Sequence, residues 1–390
     1  MSSGNHQTEV NPTQHRLGEF LQAAGLISPE QLDEAIEYQC IYGGKLGTSL
    51  IELGLIDENQ LALILSKQLG QHYIKPEFLL NISASIINII PEKIALKYHV
   101  IPYHEDGKKL FVAMNEARNP VIIHNLSAQL DREIIPLAIP EISLMLALRK
   151  YHGMLIPPRY ETLSRQINRR TKAAEKVVQK EKSDHSSSTA NQKDENHPDG
   201  ASVWPLPGNA PILAEKNPED HHASTTSENE LNSFNLAKQL ANAQNRDDIA
   251  EAILSYFKAD FPNCALLMVH KEVVTGWLST IKNSKEPFEQ ITIPLSEPSI
   301  FNLVVTNHSH YLGPIGDSPQ NHKIVDFFNI QDSQNVIVFP LMVQKRIVCL
   351  LYIQGEIEDL TRRLIELESI ADKIELSFKL LILKNKILST

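Results

Sequence analysis

The chain has 390 residues, 42% of them apolar, a net charge of -10 and only three cysteines, Cys40, Cys264 and Cys349. That length suits two or three domains with cores of their own and excludes a chain disordered throughout. The acidic balance excludes non-specific coating of nucleic acid, and three scattered cysteines exclude a disulfide framework or a cysteine-rich metal site.

No window approaches eighteen uninterrupted apolar residues, and Met1 to Gln14 is polar. The sequence therefore predicts no membrane insertion and no secretory signal, and a cytoplasmic location. From Arg16 to about Gly153 the apolar pattern is continuous. Inside it, Arg16 to Gln39 repeats without a gap as Lys45 to Gln68. Arg16 pairs with Lys45, Leu17 with Leu46, Gly18 with Gly47, Leu21 with Leu50, Gly25 with Gly54, Leu26 with Leu55, Leu32 with Leu61, Ile36 with Leu65 and Gln39 with Gln68. Each unit reads as a helix, a glycine turn and a second helix. Gly25 or Gly54 leaves the first helix, and Ser28 or Asp57 caps the second. The leucines suit the core of a small helical bundle. A core has no need of the polar members, a cation opening each unit and a glutamine closing it. A planar guanine could take hydrogen bonds from Arg16 at its O6 and N7 edge, lie on leucine faces and bring its phosphate to the backbone at Gly18. Two such half-sites suit a ligand with two guanines.

Past Pro157 the pattern collapses. Arg165 to Lys182 is charged and could form a short helix, and Ser183 to Glu228 is rich in Ser, Asn, Asp, His and Pro. Such a segment predicts a flexible linker, in which Val203-Trp204-Pro205-Leu206-Pro207 is either a docking motif or a Pro-rich kink. Order resumes near Leu231. Phe234 to Phe257 has helical spacing. Ala265 to His270, Val274 to Leu278, Ile291 to Leu295, Val336 to Val343 and Ile347 to Ile353 read as strands, the last two forming a hairpin. Ile357 to Leu388 reads as one long amphipathic helix, with Leu360, Leu364, Leu367, Ile370, Ile374, Phe378 and Leu381 on one face. A helix docked on its own sheet and a homodimer through this helix both fit that pattern.

The pattern from Arg16 to Gln39, its second copy, and the segments Pro91-Glu92-Lys93-Ile94-Ala95, Val100-Ile101-Pro102, Leu110 to Asn115 and Tyr151-His152-Gly153 closely resemble the MshEN domain. That is the cyclic di-GMP-binding N-terminal domain of type II secretion and type IV pilus extension ATPases. The resemblance implies a helical tandem-repeat subdomain at 14–70 and a small α/β subdomain at 71–155, and composition places the linker at 156–230. The resemblance also implies cyclic di-GMP as ligand, with no further cofactor, and a protein partner in secretion, pilus or motility machinery. Lys45 replaces an arginine, and Asn115-Glu116-Ala117 stands where the family usually has an Asp-Pro pair whose acid faces a guanine edge. The resemblance gives that role to Glu116. Residues 231–390 resemble a GAF-type α/β/α sensor, in which Gly276-Trp277 and Tyr311-Leu312-Gly313 either line a pocket or pack a core. The whole is an α+β multidomain chain.

No phosphate-binding loop occurs, since Lys45 of Gly43-Gly44-Lys45 is not followed by Ser or Thr, and ATP hydrolysis is not expected. His308 with His310 lacks the carboxylate or cysteine company of a metal site, His221 with His222 lies in the linker, and no catalytic arrangement is expected. A receptor that signals to a partner is the leading reading. A ligand-free docking adaptor with a vestigial site is the second, and an enzyme with an unrecognised site in the C-terminal half is the third.

Overall fold

The computed structural model describes residues 16–170, 225–281, 287–330 and 334–389. The first repeat is helices α1 (Leu17–Ala23) and α2 (Pro29–Tyr42), and the second is α3 (Leu46–Leu53) and α4 (Glu58–Leu69). The repetition extends to individual hydrogen bonds. Ser28 Oγ and Asp57 Oδ1 accept from the backbone N–H of Gln31 and Gln60, whose side chains accept in return from the N–H of Ser28 and Asp57, both at 2.8 Å. These are two capping boxes. Gly25 and Gly54 leave the preceding helices at φ 67° and 76°, where L side chains are strained, and the N–H groups of Leu26 and Leu55 return to the carbonyls of Leu21 and Leu50.

The small α/β part follows as β1 (His72–Tyr73), α5 (Pro76–Leu79), α6 (Ala84–Ile87), α7 (Glu92–Tyr98), β2 (Val100–Asp106), β3 (Lys109–Met114), α8 (Pro120–Leu130), β4 (Glu133–Ala138) and α9 (Glu141–His152). Its sheet has the order β1-β4-β3-β2. β2 and β3 form an antiparallel hairpin, whereas β3 and β4 are parallel and need the α8 crossover. Val112, Met114, Leu137 and Leu144 are among the residues that fill its core.

Helix α10 (158–170) comes next, then α11 (Thr225–Asn242) and α12 (Arg246–Lys258). The single helix expected over Phe234 to Phe257 is broken, because Asn245 caps α12 and shares a capping box with Asp248. The strands are β5 (Cys264–Val269), β6 (Val273–Ser279), β7 (Thr292–Pro294), β8 (Tyr311–Gly313), β9 (Asn335–Val343) and β10 (Arg346–Gly355), with α13 (Ile300–Asn307), α14 (Pro319–Phe328) and α15 (Ile357–Ser389). All pair antiparallel in the order β7-β6-β5-β10-β9-β8. Alternation along β10 sends Cys349, Leu351 and Ile353 toward α12 and α15, and Leu350 and Tyr352 toward α13 and α14. That is the helix–sheet–helix layering implied by the GAF-like resemblance. Both faces are filled: Phe257 and Phe378 on the one, and Phe301, Phe328 and Tyr352 on the other, are at most 1% exposed. Trp277 packs too, its Nε1 donating to Asp247 at 2.9 Å, and a Cβ at Gly276 would lie 1.9 Å from the Phe288 carbonyl oxygen. The packing reading of Gly276-Trp277 therefore holds.

Among the described residues, those from 16 to 164 and from 234 to 389 belong to one compact unit, and 165–170 and 225–233, both helical, to another. Packing thus continues beyond residue 155, where the linker was expected to begin. Ile156 and Leu163 are 3% and 1% exposed, and Arg159 makes a two-point ion pair with Glu52 at 2.8 and 2.6 Å. Sparse apolar residues hid this, since a buried guanidinium replaces apolar packing there. Val203 to Pro207, His221 and His222 lie outside the described residues. None of the described helices is long and apolar enough to cross a membrane.

Candidate functional site

The two repeats present matching residues in matching settings. Arg16 and Lys45 are both exposed and both stand in extended backbone just before a helix, at φ -76° and -87°. Leu17 and Leu46 behind them are half-buried. Gly18 and Gly47 are buried, and a Cβ built on them would lie 2.8 Å from a Leu32 methyl and 2.7 Å from a Leu61 methyl. Their immediate physical role is therefore close helix crossing, a different one from the phosphate approach read in the sequence. Leu21, Leu50, Leu32 and Ile36 are core residues, 9% exposed or less. Gly25 and Gly54 are exposed helix ends, and Leu26, Leu55 and Gln68 are half-buried. Gln39 Nε2 donates to the Gly44 carbonyl at 2.9 Å, so it ties the end of α2 to the spacer before Lys45.

A cleft of about 90 Å³ opens where the second repeat meets the four-stranded sheet. Leu17, Lys45, Leu46, Gly47, Leu61 and Leu65 line it, which brings together six of the residues predicted from sequence. Thr48, Leu69, Met114, Asn115, Ile139 and Glu141 complete the lining. Glu116 is not part of it: that side chain is exposed and accepts from Asn119 Nδ2 at 2.7 Å. Its neighbour Asn115, at the end of β3, faces the cleft instead.

Glu141, the first residue of α9, is the carboxylate of this lining. Its Oε2 accepts from Tyr160 at 3.0 Å and Thr48 Oγ1 at 3.3 Å, and its Oε1 accepts from Asn115 Nδ2 at 3.4 Å. Two residues further, Ser143 Oγ donates to Glu58 Oε1 at 2.6 Å, while burial pushes the Glu58 carboxyl above its usual range. Sequence reasoning missed Thr48, Asn115, Glu141 and Tyr160. Thr48 follows the repeated triplet and Asn115 precedes Glu116, so both were within reach; nothing local marks Glu141 or Tyr160.

The spacer between the repeats is gripped from two sides. Arg159 Nη1 donates to the carbonyls of Tyr42 and Gly43 at 2.7 and 2.8 Å, and Arg246 Nη1 reaches the Ile41 carbonyl at 3.4 Å. Both cations thus cover the carbonyl end of α2, where the helix dipole is negative. A groove of about 560 Å³ runs between α2 and the ends of β5, β9 and β10, with Tyr38, Tyr42, His270, Lys345 and Arg346 in its walls.

Residues 76–156 match the family model of the MshEN domain. The chain is 34% identical over 138 residues to the type IV pilus assembly ATPase PilB of Myxococcus xanthus (strain DK1622), covering 35% of this chain and 24% of that protein. A solved structure of MshE with cdg is 28% identical, covers 35% of this chain and 99% of its own, and has a TM-score of 0.30. The GAF domain of A. aeolicus nlh2 in an inactive state is 13% identical over 39% of this chain and 98% of its own, with a TM-score of 0.31. The chain spans less than a quarter of the length of the curated relatives it matches.

Proposed function

We propose that this chain, homologous in part to PilB and matched to the MshEN family at residues 76–156, is a non-catalytic receptor for cyclic di-GMP that signals to a protein of secretion, pilus or motility machinery. The observation that carries this reading is the duplicated geometry of the repeats. Two exposed cations, Arg16 and Lys45, each precede a half-buried leucine and a glycine-crossed helix pair, so one pseudo-symmetric ligand can be met twice in the same way. The Arg16 guanidinium suits the O6 and N7 acceptors of one guanine as a fork, and the Lys45 ammonium suits the other as a point charge. Leu17, Leu46, Leu61 and Leu65 offer apolar faces to the bases.

The ligand-free adaptor keeps one observation of its own, the turning of Glu116 toward Asn119. Calorimetric titration of cyclic di-GMP into the full chain separates the two. The receptor reading predicts saturable binding that falls at least about tenfold in Arg16→Ala, the loss of one bidentate contact. Absence of binding by folded wild-type protein supports the adaptor. The signal-bearing form is proposed to be a homodimer through α15, whose last turns expose Leu376, Leu380 and Leu383.

A further inference from the structure

The resemblance gives the guanine-reading acid to Glu116, yet the carboxylate at the cleft is Glu141. We propose that Glu141 is the specificity-determining residue of the nucleotide site; this inference rests on the receptor reading above. Guanine carries N1–H and N2–H donors side by side on one edge, and a carboxylate offers two acceptors at matching separation. Adenine presents a bare N1 acceptor on the same edge, which a carboxylate repels. Glu141 stands in a cleft whose volume, about 90 Å³, admits a base edge but not a dinucleotide. Leu17, Leu61 and Leu65 flank it, and Lys45 supplies a cation for the O6 side of the same base.

The groups that hold Glu141 leave it able to bind. Two of its three contacts, to Thr48 and Asn115, are 3.3 and 3.4 Å long, at the weak limit of hydrogen bonding, and only the Tyr160 contact is of ordinary length. Tyr160 therefore orients the carboxylate through Oε2, and the long contacts to Thr48 and Asn115 are those that a guanine edge displaces at least cost. Tyr160 acts as the positioning residue.

The test is titration of cyclic di-GMP and cyclic di-AMP into the full chain, as wild type, Glu141→Gln and Glu116→Gln, with melting temperatures in parallel. The proposal predicts that Glu141→Gln loses about tenfold or more in cyclic di-GMP affinity and narrows the guanine-over-adenine ratio by a similar factor. It also predicts that Glu116→Gln stays within about twofold of wild type, as an exposed side chain should. Glu141→Asp, which keeps the charge but retracts it, should lose affinity as well, and it serves if the glutamine variant does not fold. Unchanged discrimination in both Glu141 variants, or equal loss of both ligands with a lowered melting temperature, overturns the proposal and leaves Glu141 a structural tie. Loss of discrimination in Glu116→Gln alone overturns it in favour of Glu116. If wild type binds neither dinucleotide, the receptor reading itself fails, and this inference with it.

Discussion

His270, on the turn after β5, has its ring 5.2 Å from that of Tyr42. Burial first, and then the charges of Arg159 and Arg246, push its pKa down to about 3 from an ordinary 6.5. The folded state therefore favours the neutral ring. Its contribution to stability is complete above pH 6.5 and is lost as pH falls from 6.5 toward 3. In denaturant titrations between pH 7 and 5, wild type should lose up to about 1.4 kcal/mol per pH unit more than His270→Asn. Parallel stability curves for the two proteins would remove His270 from the account. The residue-scale features that the sequence made legible are those with a local cause. Ser28, Asp57, Gly25 and Gly54 could be placed because caps and turns are decided within a few positions of the chain. Glu141 could not, because its contacts to Thr48 and Asn115 come from elements remote in sequence, and its chemistry exists only once α3, β3 and α9 meet.

At the scale of elements, α15 shows what periodicity settles and what it leaves open. Leu360, Leu367, Ile370, Ile374, Phe378 and Leu381 are at most 3% exposed, as the helical spacing predicted. On another face Leu376, Leu380 and Leu383 are 57%, 38% and 55% exposed, spaced four and three apart, and Ile387 follows four further on. That four-three-four spacing is the one a coiled-coil seam uses, and it is the surface the proposed homodimer would bury. Sedimentation velocity should find a dimer at micromolar concentration, and a Leu380→Glu, Leu383→Glu double variant should be monomeric with little change in melting temperature. A wild-type monomer across that range contradicts the dimer. The strands were legible from their β-rich runs to within a few residues. The start of helix α10 was not, because its anchor is the Arg159–Glu52 pair and not an apolar stripe; the possible helix read at Arg165 to Lys182 overlaps it at 165–170 and otherwise lies outside the described residues. Breaking such a buried pair typically costs about 3–5 kcal/mol, so Arg159 is a structural determinant of the spacer before Lys45.

At the scale of the whole molecule, α2 serves two cores. Leu32 and Ile36 pack within the repeats, whereas Ile41 belongs to the core of the C-terminal half. Tyr42 donates to the Val269 carbonyl at 3.1 Å, and Lys386 of α15 bridges Asp33 and Glu37 at 3.2 and 2.7 Å. Sequence reasoning separated the two halves at a composition change and had no means of seeing this joint, which depends on surface complementarity between segments hundreds of residues apart. The joint gives the repeats a direct contact through which an occupied site can act on the C-terminal half. The measurement that tests the central claim most directly is amide hydrogen exchange of the full chain with and without saturating cyclic di-GMP. The account predicts added protection at both openings, residues 16–21 and 45–50, with smaller changes along α2. Unchanged exchange at both openings, or protection confined to the groove around His270 and Arg346, would contradict it.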